Sequence, residues 1–218
     1  MAVTLYYMSG SPYAWRVWLA LAHKGIPHEI RTISYDAGDL QQDWYAALNP
    51  RRRVPVIDDE GFTLYESAAI VEYLEDKWPR QQPLLSTDLR QRAIERRMIR
   101  EADQYFAEAL EHLVQAVFFT APERREQHTV DAAWAAMRKE LAAWETLIQG
   151  DFLAGPLSAA DFALFPEIAL GWRIEERNPG LVRGALVGPR LQAWAERMKA
   201  LPVVRSTWPS HWTPLPPT

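Results

Sequence analysis

At 218 residues with a net charge of -4 at pH 7, the chain has the length for one large domain or two small ones around a sizeable core. An acidic balance without a basic field argues against nucleic acid or an anionic membrane as partner. The absence of cysteine removes disulfides, thiolate metal ligands and a cysteine nucleophile together. The five histidines show no metal-ligand spacing, so no metal is expected. No apolar run approaches the ~20 residues of a membrane helix, and Met1-Ala2-Val3 leads straight into a strand instead of a signal peptide. The expectation is a cytoplasmic protein.

In chain order, Val3-Thr4-Leu5-Tyr6-Tyr7-Met8 alternates as a strand does. Ser9-Gly10-Ser11-Pro12 breaks it, glycine suiting a tight turn and proline the first position of a helix. That helix runs from Tyr13 to Lys24 and stops at Gly25. Ile26 to Ile33 reads as a second strand, and Leu40 to Leu48 as a short helix ended by Asn49-Pro50. Val54 to Tyr65 supplies two strands and their turn, and Glu66 to Trp78 a third helix. The order βαβαββα makes the first two strands parallel and the last pair an antiparallel hairpin. This is a thioredoxin-like domain over residues 1–78, followed by a linker over 79–88 that begins with Pro79 and Pro83.

Residues 89–218 read as an all-α domain. Ile94, Met98, Ala102, Tyr105, Phe106, Ala109, Leu110, Leu113, Val114 and Val117 form one apolar stripe on a long helix. Pro122 is expected to open a second, through Trp134, Met137, Leu141, Trp144 and Ile148 to Gly150. Ser158-Ala159-Ala160-Asp161 has the form of a capping box before Phe162. A last clear helix is expected from Pro189 to Ala200, and the proline-rich stretch from Trp208 to Pro217 should be extended. The 10 tryptophans suit helix interfaces.

The chemistry concentrates at Val54-Pro55 and Glu66-Ser67. A cis bond at Val54–Pro55 would turn the backbone N–H and C=O of Val54 outward, where an extended peptide pairs with them as an added strand. The helix opening near Ser67 offers free N–H groups and a positive dipole end to a carboxylate. Together they describe a receptor for a small peptide with an acidic end. Ser11, just before Pro12 and the first helix, places a hydroxyl at another helix N-terminus; it reads equally as a plain N-cap, as Glu66-Ser67 does as a plain helix start.

Val-Pro followed by Glu-Ser, the Ser11-Pro12-Tyr13 segment and the Gly155-Pro156-Leu157-Ser158-Ala159-Ala160-Asp161 box resemble, in this order, the glutathione S-transferase family, over nearly the whole chain. The resemblance implies glutathione as co-substrate, a small electrophile as second substrate and a homodimer formed through the long helices. A free thiol of pKa ~8.5 is only about 3% ionised at pH 7, and lowering it by about two units, worth ~2.7 kcal/mol, makes thiolate the major form. The match implies that Ser11 is the hydroxyl that stabilises it, with Ser9, Tyr6 and Tyr7 as alternatives. Val54 matches the residue whose backbone pairs with the cysteinyl unit, and Pro55 the cis-proline. Glu66 and Ser67 match the pair that takes the γ-glutamyl amine and carboxylate, and Arg53 lies near the glycyl end. The cleft for the electrophile is assigned to Tyr13, Tyr105, Phe118, Phe119 and Trp172; Asp103 reads first as a plain solvated acid, and the resemblance offers it a reach across a dimer to the γ-glutamyl amine.

Trp15-Arg16-Val17 is similar to the zeta branch of the family. That branch's paired serines and cysteine are replaced here by Ser11-Pro12-Tyr13, which counts against maleylacetoacetate isomerase activity. Three outcomes therefore stand: transfer of glutathione to an electrophile, glutathione-dependent isomerisation or ether cleavage, and a non-catalytic binding module that keeps the fold.

Overall fold

The computed structural model describes residues 2–181 and 187–216; Met1 and Pro217 of the expected elements lie outside them. The first elements are β1 (Val3–Tyr7), α1 (Pro12–His23), β2 (His28–Thr32), α2 (Asp43–Leu48), β3 (Val56–Asp59), β4 (Phe62–Tyr65) and α3 (Ser67–Lys77). The sheet runs β2-β1-β3-β4, with β1 and β2 parallel and the other pairs antiparallel. This is the expected thioredoxin-like arrangement. Val3, Leu5, Tyr6 and Tyr7 are all buried, because β1 is a central strand covered on both faces, whereas β2 is a largely exposed edge. Such burial on both faces turns a clean alternation into a near-continuous apolar run.

One ion pair ties this domain together. Lys24, at the end of α1, donates to Glu75 of α3 at 2.7 Å and to the Gln81 carbonyl at 2.8 Å. The other Glu75 oxygen accepts the backbone N–H groups of Leu84 and Leu85. Both charges are buried, so the pair holds only while every partner is present. Glu75→Gln keeps an acceptor for the two N–H groups but faces the buried ammonium with a neutral amide. We expect it to cost about 3 kcal/mol, read as a lower urea midpoint at unchanged slope.

The helical region comprises α4 (Leu89–Glu101), α5 (Ala107–Val117), α6 (Gln127–Leu147), α7 (Ala159–Arg177), α8 (Pro189–Ala200) and α9 (Pro202–Thr207). The expected long helix is continuous from α4 to α5 but passes through a π-helical turn, Ala102–Phe106. Its buried residues explain the turn: Met98, Ala102, Phe106 and Leu110 recur at steps of four, each of which drifts roughly 40° around a regular helix. One wide turn returns them to a single face. It leaves Tyr105, expected on the apolar stripe, 57% exposed.

Pro122 does not open the second long helix. It opens a single 3₁₀ turn, Pro122–Arg124, and α6 begins at Gln127. The Arg125 guanidinium donates to the Val117 and Thr120 carbonyls, so the intervening backbone stays extended to cap α5. At the start of α7 the expected capping box is present, with Ser158 as N-cap and Asp161 fully buried behind it.

The domain boundaries also differ from expectation. The chain divides into Met1–Leu85 with Ala200–Thr218, and Ser86–Lys199, so the helical unit does not run to residue 218. The short helix α9, not foreseen in the sequence, belongs to the first unit because Trp15 of α1 donates to Thr207 at 2.9 Å and its ring meets those of Trp208 and Trp212 edge-on. Beyond it, residues 208–216 are non-helical, as the prolines require, but they are not extended as expected: the Trp212 N–H donates to the Pro209 carbonyl at 3.0 Å and closes a turn, which the ring contacts of Trp208 and Trp212 with Trp15 hold in place.

Candidate functional site

Three strand ends, of β1, β3 and β4, converge at one end of the sheet. In the antiparallel β1–β3 register Tyr6 lies opposite Val56, and Val54 and Met8, just beyond, pack on the same cluster of Tyr6, Ile33, Tyr45 and Val56. Tyr65 of β4 also lies opposite Val56, which brings Glu66-Ser67 to the same end. The Val54–Pro55 bond is cis.

Met8 to Ser11 forms a tight turn, with the Ser11 N–H donating to the Met8 carbonyl at 3.1 Å. Gly10 sits at its third position with φ +88°, the value a type II turn needs there and that glycine adopts freely. Ser11 then N-caps α1, its hydroxyl accepting the Ala14 N–H at 3.3 Å. A hydroxyl oxygen that accepts still has its own proton to donate.

Arg16, five residues along α1, donates to the Ser67 hydroxyl at 3.3 Å, which fixes the start of α3 beside the first turns of α1. Both side chains are buried. Glu66 is exposed and adopts φ +72°, an unfavourable region for a residue with a side chain. Arg53 is exposed, while its carbonyl accepts from the Tyr45 hydroxyl at 2.9 Å and the Asn49 amide at 2.7 Å. Asn49 thereby holds the segment leading to Val54. Arg52 donates to the Leu40 and Gln42 carbonyls, so the second residue of the arginine run is structural.

The two alternative tyrosines are buried. The Tyr6 hydroxyl accepts from Arg31. Burial pushes the Tyr7 phenol up, against the pull of the Ser9 hydroxyl and the Gly10 N–H, so it stays protonated at neutral pH. Ser9 is hydrogen-bonded to His211 of the chain's last segment at 3.0 Å.

Of the residues assigned to the electrophile, Tyr13 belongs to the first unit, 37% exposed, with the Arg16 guanidinium 5.5 Å from its ring centre. Tyr105, Phe118, Phe119 and Trp172 belong to the second unit. Phe118 lies under Arg177, and Trp172 stacks edge-on with Phe165 beneath the Lys199 ammonium. Asp103 lies on the π-helical turn. Among the described residues no cluster of His, Asp and Glu has the arrangement to hold a metal ion, and no helix is long and apolar enough to cross a membrane.

The family described as "Glutathione S-transferase, N-terminal domain" matches residues 10–77. A probable maleylacetoacetate isomerase 2 of Drosophila melanogaster is 32% identical over 169 residues, spanning 75% of this chain and 72% of that protein. The chain belongs to the glutathione S-transferase family. Glutathione S-transferase A of Pleuronectes platessa is 27% identical over 98% of this chain and 94% of its own length. A crystal structure of a glutathione S-transferase from the Antarctic clam Laternula elliptica superposes with a TM-score of 0.79 at 26% identity, covering 97% of this chain and 94% of that one.

Three residues of this glutathione S-transferase family member escaped sequence reasoning. Arg16 carried a signal, as a charged residue between Trp15 and Val17 on a helix that is apolar on most sides. Asn49 read only as a helix stop. His211 lies 202 positions from Ser9, and nothing local in its proline-rich surroundings pointed to that partner.

Proposed function

We propose that this enzyme binds glutathione at the end of the sheet carrying Val54, Pro55, Glu66 and Ser67, and adds its thiolate to a small hydrophobic electrophile. The observation that carries the reading is Ser11. Its oxygen is already occupied by the Ala14 N–H, so its proton is left to donate outward, at the positive end of α1. A thiolate there gains a charge-assisted hydrogen bond and a favourable dipole, and a neutral thiol gains neither in full. The backbone of Val54 pairs with the cysteinyl unit, Glu66 and the N-terminus of α3 take the γ-glutamyl amine and carboxylate, and Arg53 attracts the glycyl end. Tyr13, Tyr105, Phe118 and Trp172 are the side chains assigned to the electrophile. The working form is a cytoplasmic homodimer, with Asp103 reaching towards the partner's glutathione.

A second reading, glutathione-dependent isomerisation, is favoured by relatives named maleylacetoacetate isomerase. Both reactions begin with addition of the thiolate to an electron-poor double bond. In one, a proton adds to the neighbouring carbon and the conjugate is released. In the other, rotation about the new single bond is followed by expulsion of the thiolate, and glutathione returns unchanged.

The deciding experiment follows glutathione and product together, with an α,β-unsaturated ketone and with maleylacetoacetate. Consumption of glutathione equal to product formed supports transfer. Isomer formed at constant glutathione supports the second reading. No turnover of either, with glutathione unbound, would leave only a binding module.

A further inference from the structure

The segment after α9 is built onto the turn that carries Ser11. Trp212 Nε1 donates to His211 Nε2 at 3.0 Å, and His211 Nδ1 lies 3.0 Å from Ser9 Oγ. An indole N–H is a donor and nothing else, so His211 Nε2 carries no proton. The ring is therefore neutral, with its proton on Nδ1, and it is the imidazole that donates to Ser9. This couple rests against the corner of the turn: a Cβ placed on Gly10 would stand 3.5 Å from His211 Nε2 and 3.6 Å from Trp212 Nε1.

The segment is held from several sides. Trp208 and Trp212 meet each other and Trp15 edge-on, with centroids 5.3–5.8 Å apart. Trp208 Nε1 donates to the Thr213 carbonyl at 3.1 Å, and Arg205 to the Pro216 carbonyl at 2.6 Å. Residues 213–216 thus fold back on α9, and α9 is fastened to α1 through Trp15 and Thr207. The His211 ring is presented to Ser9 by a braced element, not by a loose end.

We propose that His211 is a positioning residue for the thiol site. Its Nδ1–H anchors Ser9, the second residue of the Met8–Ser11 turn, and so fixes the direction in which Ser11, the fourth, offers its proton. The inference rests on the reading that Ser11 stabilises the thiolate. It adds that the C-terminal segment is part of that machinery, acting through Ser9. With the anchor gone the turn keeps its backbone hydrogen bond but samples more orientations, and the donor geometry a thiolate needs is held for less of the time.

The test compares His211→Leu, His211→Asn, Ser9→Ala and the Ser9→Ala/His211→Leu double variant. The thiol of bound glutathione is titrated by ultraviolet difference absorbance, and folding is checked by urea unfolding. His211→Leu and Ser9→Ala should each raise the titration midpoint by roughly half a unit to one pH unit. The double variant should shift no further than either single one. Asparagine, whose amide N–H can stand near the place of Nδ1–H, should restore the midpoint to within about 0.2 unit. An unchanged midpoint in a folded His211→Leu protein, or additive shifts, overturns the proposal. Absence of thiolate in the wild type overturns the reading of Ser11 and the positioning role with it. Two-bond proton–nitrogen correlations of His211 in the ligand-free protein give an independent arm: the Nδ1–H tautomer is expected, and an Nε2–H tautomer overturns the anchor whatever glutathione does.

Discussion

Ser11→Ala should leave glutathione bound but raise the midpoint of its thiol by one to two pH units, and slow turnover at pH 7 roughly 10- to 100-fold. The size follows from what is removed. A hydrogen bond to a charged acceptor is worth about 1.5–3 kcal/mol, and about 1.4 kcal/mol moves a midpoint by one unit. The proposed binding mode draws most contacts to the tripeptide from elsewhere, so affinity should change little while the rate falls. The same substitution removes the N-cap of α1, at about 1 kcal/mol of stability, and a loosened helix would mimic a lost donor. Two variants separate these effects. Ser11→Thr keeps both cap and hydroxyl and should keep the thiolate. Ser11→Asp keeps the cap but faces the thiolate with a carboxylate, and should raise the midpoint further than alanine does. A folded Ser11→Ala protein with an unshifted midpoint would reduce Ser11 to a cap.

Asp161→Ala should be the most destabilising single change of those considered, by about 4–5 kcal/mol. Its carboxylate accepts from the Leu153 N–H at 2.9 Å, the Ser158 N–H at 2.9 Å, the Ser158 hydroxyl at 3.1 Å and Trp194 Nε1 at 2.8 Å. Alanine leaves these donors buried without an acceptor and unties α8 from the start of α7. The pH dependence carries a signature. Burial raises Asp161 from the ordinary 3.8 to about 6, outweighing the hydrogen bonds that favour the ionised form. The folded state therefore binds this proton more tightly than the unfolded state does. The stabilisation is fully present below about pH 4 and is lost as pH rises through 6. The stability difference between wild type and Asp161→Ala should accordingly be larger at pH 4 than at pH 7, by roughly 2–3 kcal/mol. Urea unfolding of both proteins across this range measures it. A difference that is flat, or that grows towards neutral pH, would contradict the assignment.

The order and type of the elements in the thioredoxin-like half, the Ser11 cap and the capping box at Ser158 were legible in the sequence, and the family resemblance implied the cis Val54–Pro55 bond. Each depends on residues within about five positions of one another, where turn chemistry, proline and capping rules act directly. The π-helical turn was half legible: the steps of four at Met98, Ala102, Phe106 and Leu110 are written in the chain, but only packing turns that drift into a wide turn. Pro122 marked a helix start correctly in kind and wrongly in place, because the Arg125 guanidinium holds the next residues extended to cap α5.

By itself, the sequence determined which chemistry is open to this protein. Without cysteine any sulfur must come from a ligand, and hydroxyls at two helix starts, with a proline between, describe where a small peptide with an acidic end would sit; the family resemblance makes that peptide a thiol. Tertiary structure alone decided which side chains brace that place. Arg16 reaches Ser67, Asn49 holds the approach to Val54, Glu75 ties the linker to α1, and α9 with its following segment returns to the first unit to set His211 on Ser9. These contacts join residues from four to some two hundred positions apart. Most of them close long loops, and a long loop costs little more entropy than a short one. Many such closures are therefore open to one chain, and the choice among them rests on packing and hydrogen-bond satisfaction across the whole molecule.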